Sequence, residues 1–299
     1  MMSVKLVLDR IYNFLLSEKI KQKFEKTILF IGIISFIVHL SLIYLKRYNF
    51  VILFDESNFF DNPIAAIYTP FSFILIYEVY LLIFYLPRSI TTYITKQYEI
   101  ITLIVIRRIF KDLSNLEVSS NWFDIKYDIN FTYDIITALL LFFLIYLFSY
   151  LRESLDKLNV PKDINPDHMK QFIEIKKVMA AALVPIFICI GIFTFGSWLT
   201  TTIPKNISAD ITDVNSLFFD EFFAVLIIVD VLLLLVTFFY TDKFHKVIRN
   251  SGFIISTILI RMSFTVDGVL NNILILAAII FGLTILWIHN KFAKNLDLK

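Results

Sequence analysis

The chain has 299 residues, of which 58% are hydrophobic, 16% aromatic and 18% charged, with only 6 glycines; this composition lies outside that of soluble domains and is expected of a polytopic membrane protein. A formal net charge of +2, with no basic segment interleaved with stacking aromatics, excludes a nucleic-acid partner. The single cysteine, Cys189, excludes an intrachain disulfide and any Cys-based zinc or iron–sulfur centre, and reads as a packing residue.

The first 26 residues, MMSVKLVLDRIYNFLLSEKIKQKFEK, lack the basic start, short apolar core and small-residue cleavage site of a signal peptide. Val4, Leu6, Val7, Ile11, Phe14 and Leu15 recur near helical spacing with Lys and Asp between them. The pattern predicts an amphipathic helix over 1–27 at the cytoplasmic interface, followed by an uncleaved first span. About 20 apolar residues cross a bilayer as a helix. Clear candidates are 28–45, 64–86, 131–151, 179–201, 218–240 and 269–289. Two further segments, 98–113 and 252–267, are apolar but interrupted by arginine: IITLIVIRRIF carries Arg107 and Arg108, and IISTILIRMSF carries Arg261. Such segments read either as interfacial helices or as spans.

The loops decide, through the excess of Lys and Arg on cytoplasmic sides. If both arginine-bearing segments cross, the inside pieces are 1–27, 87–97, 152–178, 241–251 and the tail 290–299, and each carries Lys or Arg, with Arg152, Lys157, Lys162, Lys170, Lys176 and Lys177 in the longest. The outside pieces are acidic or neutral, with Asp55, Glu56 and Asp61, then Asp112, Glu117, Asp124 and Asp128, then Asp210 and Asp213. Lys46, Arg47, Lys111, Lys126 and Lys205 run against the trend. If the first of the two segments only lies on the surface, every later loop changes sides and the three most basic ones end up outside. The expectation is an all-α bundle of about eight transmembrane helices with both termini cytoplasmic, in a multi-pass membrane location, with six or seven spans as alternatives.

Aligned without gaps, the two arginine segments agree at six of eleven positions. In the eight-span topology they are spans three and seven and run in the same direction, so 28–151 and 179–289 form two parallel four-helix repeats joined by a cytoplasmic connector, 152–178. The repeat aligns two lone acids, Glu78 in span two and Asp230 in span six. Glu78 and Arg107 are centred within the RSITTYITKQ turn, and Asp230 and Arg261 within TDKFHKVIRN, so each acid and arginine fall at matching depth. An ionised side chain at mid-membrane costs about 2.5 to 3.5 kcal/mol on insertion scales, and a partner offsets much of it. The spacing therefore predicts two pairs, Glu78 with Arg107 and Asp230 with Arg261. They either only join helices or line a pathway for an ion or proton.

Lys96 and Glu99, three apart at the cytoplasmic entry of span three, share a helical side and read as an interfacial pair or an entry site. His39 in span one reads as a satisfied buried histidine or a proton carrier. Asp134, Asp220 and Glu221 begin their spans at the outer face as a hydrated acidic rim. Pro70 and Pro185 permit kinks. In NPDHMKQFIEIKKVM, Asn165 caps and Pro166 begins a helix that continues into span five. That extension offers Met169, Phe172, Ile173 and Lys176 to a soluble partner.

Enzyme motifs are missing. The four histidines lack the HExxH spacing, Phe195 to Leu199 lacks the second glycine of a serine-nucleophile motif, and neither a Gly-x-Gly-Asp nor a phosphate-binding glycine loop occurs. No catalytic, cofactor or metal residue is expected. The functional expectation is an ion or proton channel or secondary transporter, with lipid, a small ion and a second copy or accessory subunit as partners. A non-transporting scaffold whose ion pairs are structural is the alternative.

Overall fold

The computed structural model describes residues 10–50, 63–113, 126–156, 166–202, 211–240, 244–266 and 268–297. Among them no strand occurs. Residues 10–16 are helical and break at Ser17, whose hydroxyl accepts from the Ile20 N–H and starts α1, Glu18–Arg47. The end of α1 is equally defined: Phe50 N–H reaches Leu45 O and Asn49 N–H reaches Lys46 O, with Asn49 at φ 59°. This is the Schellman pattern, and asparagine tolerates its left-handed position.

A 3₁₀ turn, Pro63–Ile67, leads into α2, Tyr68–Tyr85. Pro70 thus falls in the first turn of α2, where its missing N–H breaks no helical bond, so the expected kink inside span two does not form there. Ser89 caps α3, Ile90–Leu113, by accepting from the Thr92 N–H. Then follow α4, Lys126–Asp156; α5, Pro166–Thr202; α6, Ile211–Tyr240; α7, Phe244–Ser263; and α8, Val269–Asp297. Helix α5 runs from its Pro166 start through Pro185 without interruption. The acidic loop residues Asp55, Glu56, Asp61, Glu117 and Asp124 lie outside the described residues, as do residues 1–9 and Asn165.

Among the described residues five helical stretches are long and apolar enough to cross a membrane: Arg10–Arg47, Ile129–Ser154, Lys170–Thr194, Glu221–Tyr240 and Val269–Asn295. The apolar stretch in α2, Thr69–Tyr85, is shorter. Helices α3 and α7 fall outside this set by composition. Their polar groups, however, are turned inward: α3 buries Thr91, Thr95, Gln97 and Thr102, and α7 buries Asn250, Ser256, Thr257, Arg261 and Ser263. Helices α1 and α4 do the reverse and expose Phe30, Ile33, Ile37, Leu139, Phe142 and Phe143. Apolar side chains outward and polar ones inward is the pattern that a hydrocarbon solvent selects.

The chain divides into two compact units. The first comprises Met1–Phe84, Arg107–Phe131 and Ala180–Ala224. Aromatic contacts hold it: Phe24 against Tyr77 and Tyr80, Phe71 stacked on Phe110, and Phe187 against Phe222. The second comprises Tyr85–Ile106, Thr132–Met179 and Val225–Lys299, with α7 packed along α8.

Close packing, rather than escape from water, drives helix association in lipid, and small residues permit it. Gly282 shows why. The Tyr98 hydroxyl, 2.7 Å from Ser256 Oγ, which itself donates at 2.6 Å to the Ala278 carbonyl, occupies the place where a Cβ at position 282 would project. Tyr98 also meets Phe148 edge-on, and Phe148 leans on Phe253. Gly282→Ala is therefore expected to lower the unfolding temperature, with an overpacking cost of about 1–3 kcal/mol. Tyr98→Phe in the same chain should recover part of that loss in thermal unfolding of the purified protein; additive damage would contradict this packing.

Candidate intramembrane charge centre

Asp230, on α6, has no solvent exposure and is the focus of the second unit's polar core. The Arg261 Nη2 donates to Oδ2 at 2.9 Å, and the Thr257 hydroxyl donates to the same oxygen at 3.1 Å. The Tyr93 hydroxyl donates to Oδ1 at 3.0 Å, and Gln97 Nε2 lies 3.4 Å from both oxygens. Helical spacing explains the set. Tyr93 and Gln97 are four apart on α3, and Thr257 and Arg261 are four apart on α7, so each helix presents two donors one turn apart on one face. An ionised carboxylate offers about four lone-pair sites, and four side chains meet them.

The fixed charge is Arg261, itself 5% exposed. Its Nη1 is buried and has no hydrogen-bond acceptor. Taking both charges from water costs several kcal/mol each, which mutual attraction repays only when further hydrogen bonds complete the shell. Tyr93, Gln97 and Thr257 are that completion.

In the first unit Glu78, on α2, is 5% exposed, and the Arg107 guanidinium acts electrostatically on its carboxylate. Nearby on the same helix, the Tyr77 hydroxyl donates to Glu25 at 2.9 Å and the Tyr80 hydroxyl to the Leu15 carbonyl at 3.0 Å, tying α2 to the start of the chain. The four charged residues singled out by depth thus occupy one compact unit per pair, with a direct ion pair at Asp230–Arg261.

Lys96 and Glu99 form an ion pair at 2.5 Å with side chains 29% and 38% exposed, and Lys96 also lies over the Tyr85 ring. A half-exposed i,i+3 pair contributes little stability. His39 is buried, with Nδ1 2.5 Å from the Thr69 hydroxyl.

Several expectations require correction. Asp134 does not belong to a hydrated rim: it is buried and accepts from Asn272 at 2.6 Å, because α8 places an amide donor opposite it. Glu221 is exposed, while the Asp220 side chain lies outside the described residues. Cys189 is exposed rather than packed in the interior. Lys176 is not offered to a soluble partner: it is buried, donates to the Arg88 carbonyl and lies over the Phe172 ring. Phe172 is itself tilted against Tyr240.

Tyr93, Gln97 and Thr257 are the donors to Asp230 that depth-matching of charges missed. Their signal was polar residues four apart within apolar helices, on the face that Arg261 already defined. No protein-family model, curated protein or solved structure matches the chain. The described residues define an all-helical protein with five helices long and apolar enough to cross a membrane, the feature of a membrane protein, and a buried carboxylate–guanidinium centre.

Removing one member of the pair leaves an uncompensated buried charge. Arg261→Met is expected to cost about 3–5 kcal/mol of stability. Tyr93→Phe is expected to cost about 0.5–1.5 kcal/mol. Asp230→Asn with Arg261→Met should destabilise less than the sum of the two single changes. Denaturation midpoints in detergent measure this cycle; strict additivity would show that the two side chains are not coupled.

Proposed function

We propose that the chain crosses the membrane eight times, with its N- and C-terminal segments cytoplasmic, and moves an ion or a proton. The observation that carries this reading is the ionisable pair Asp230–Arg261 held inside the bundle, with Tyr93 and Gln97 of α3 and Thr257 of α7 turned onto it. Interior hydroxyls and amides also serve simply to join membrane helices, whereas ionisable side chains held inside a bundle characteristically mark ion or proton paths. Basic inside loops, and arginine helices whose charge is turned from lipid, support α3 and α7 as crossings three and seven. The same topology makes 28–151 and 179–289 parallel repeats.

In this reading the arrangement at Asp230 is the closed state. Arg261 holds the carboxylate, and Tyr93, Gln97 and Thr257 saturate it. A proton delivered to Asp230 cancels the charge that retains Arg261 and frees α7 from α6. Glu78 and Arg107 perform the corresponding step in the other repeat, and Lys96 with Glu99 stands at the cytoplasmic entry. Differential affinity of the proton for the two arrangements is what shifts their populations.

The complete burial of Asp230 and its full set of donors favour a second reading, a scaffold or accessory subunit whose ion pairs only hold helices together. Flux separates the two. Purified protein in liposomes should dissipate a proton, sodium, potassium or chloride gradient, and Asp230→Asn should change the rate by about tenfold or more. A folded wild-type protein that conducts none of these ions would leave the scaffold.

A further inference from the structure

A half-buried cation outside the charge centre meets no carboxylate among the described residues. Arg249 lies on α7, and its interactions among the described residues are with neutral groups. Nε and Nη2 donate to Asn250 Oδ1 at 3.1 and 3.0 Å, and Nη1 lies 3.1 Å from His289 Nε2. A guanidinium is an obligate donor, so His289 Nε2 accepts. His289 Nδ1 lies 3.2 Å from the His245 carbonyl and must donate to it. The imidazole is therefore neutral, with its proton on Nδ1, and it stacks on His245 with ring centroids 5.3 Å apart. Burial lowers the Arg249 pKa to about 10, which leaves it cationic at neutral pH.

The guanidinium is thus held in place at three N–H groups by neutral acceptors. Of the five N–H donors of an arginine, two remain. A positioned, part-buried guanidinium with two donors left over is suited to an anionic oxygen ligand, and phosphate oxygens match it. Lys291 and Lys294, both exposed on α8, add positive charge on the same helix as His289.

The surroundings favour a lipid over a soluble ligand. Phe244 and Ile248 on α7, and Trp287, Ile288 and Phe292 on α8, are exposed apolar side chains on the two helices that carry the site. Lys291 lies over the Trp287 ring. Exposed tryptophan beside lysine is the signature of headgroup depth, and basic pockets between helices at that depth take acidic headgroups.

We propose that Arg249, positioned by Asn250 and His289, binds the phosphodiester of an anionic phospholipid headgroup. The test uses full-length protein in micelles containing equal phosphatidylglycerol and phosphatidylcholine, with retained lipid read by native mass spectrometry. Wild type should retain phosphatidylglycerol about tenfold over phosphatidylcholine, the size of one charge-assisted contact. Arg249→Gln should lose that preference, and Lys19→Gln, at an exposed position on α1, should keep it. Asn250→Ala, which removes the acceptor of Nε and Nη2, should weaken it and serves if Arg249→Gln does not fold. Equal retention of the two lipids by wild type overturns the proposal, as does an undiminished preference in both site variants. In a lipid-free arm, thermal stabilisation by inorganic phosphate equal to that by phosphatidylglycerol would overturn the lipid assignment in favour of a soluble phosphate.

Discussion

The interaction on which this molecule depends is the burial of Asp230 against Arg261. Neither hydrocarbon nor a dry protein interior solvates a carboxylate, so every lone pair must be met by the chain itself. That demand fixes three helices at once. Helix α6 brings the acid, α7 brings Arg261 and Thr257, and α3 brings Tyr93 and Gln97. Ser89, which caps α3, stands one turn before Tyr93 and sets where that helix starts. Truncating any of these donors acts on the same carboxylate, which makes their effects interdependent rather than local.

The inward turn of the polar groups also explains why two helices of modest hydropathy belong with longer apolar ones. Arg261 reads as an obstacle to a crossing when α7 is considered alone, because its cost is counted against lipid. Counted against Asp230, Thr257 and the Ser256–Ala278 contact, the same helix turns its polar face onto protein partners. Gly252 and Gly282 let α7, α8 and Tyr98 approach closely enough for this, since a Cβ at either place would overlap Ile285 or Tyr98.

Much of the architecture is legible in the sequence because apolar length is a strong signal: each segment expected to cross contains a helix, and the long apolar ones are unmistakable. Charge depth, counted along two hairpins, also brings Asp230 and Arg261 to the same place. What stays hidden is what neutral polar residues do. Tyr93, Gln97 and Thr257 look like ordinary members of mixed helices until a carboxylate is known to face them. Asp134 fails in the opposite way, because its fate depends on Asn272, 138 positions away. Lys176 looks solvated by sequence, yet a turn carbonyl from Arg88 and the Phe172 ring give it a buried place that no local pattern specifies. The role of Pro70 depends on where α2 begins, which the 3₁₀ turn before it sets two residues earlier.

The eight-span topology stands on α3 crossing the membrane, since its loss would move every later loop to the other side. The direct measurement is labelling of single cysteines by a membrane-impermeant thiol reagent in intact cells, in a Cys189→Ser background, with Ser119→Cys for the 111–130 loop and Lys243→Cys for the 241–251 loop. The account predicts that Ser119→Cys is labelled from outside and that Lys243→Cys is labelled only after permeabilisation. The reversed pattern, with Lys243→Cys labelled from outside and Ser119→Cys only after permeabilisation, would mean that α3 does not cross, and would contradict it.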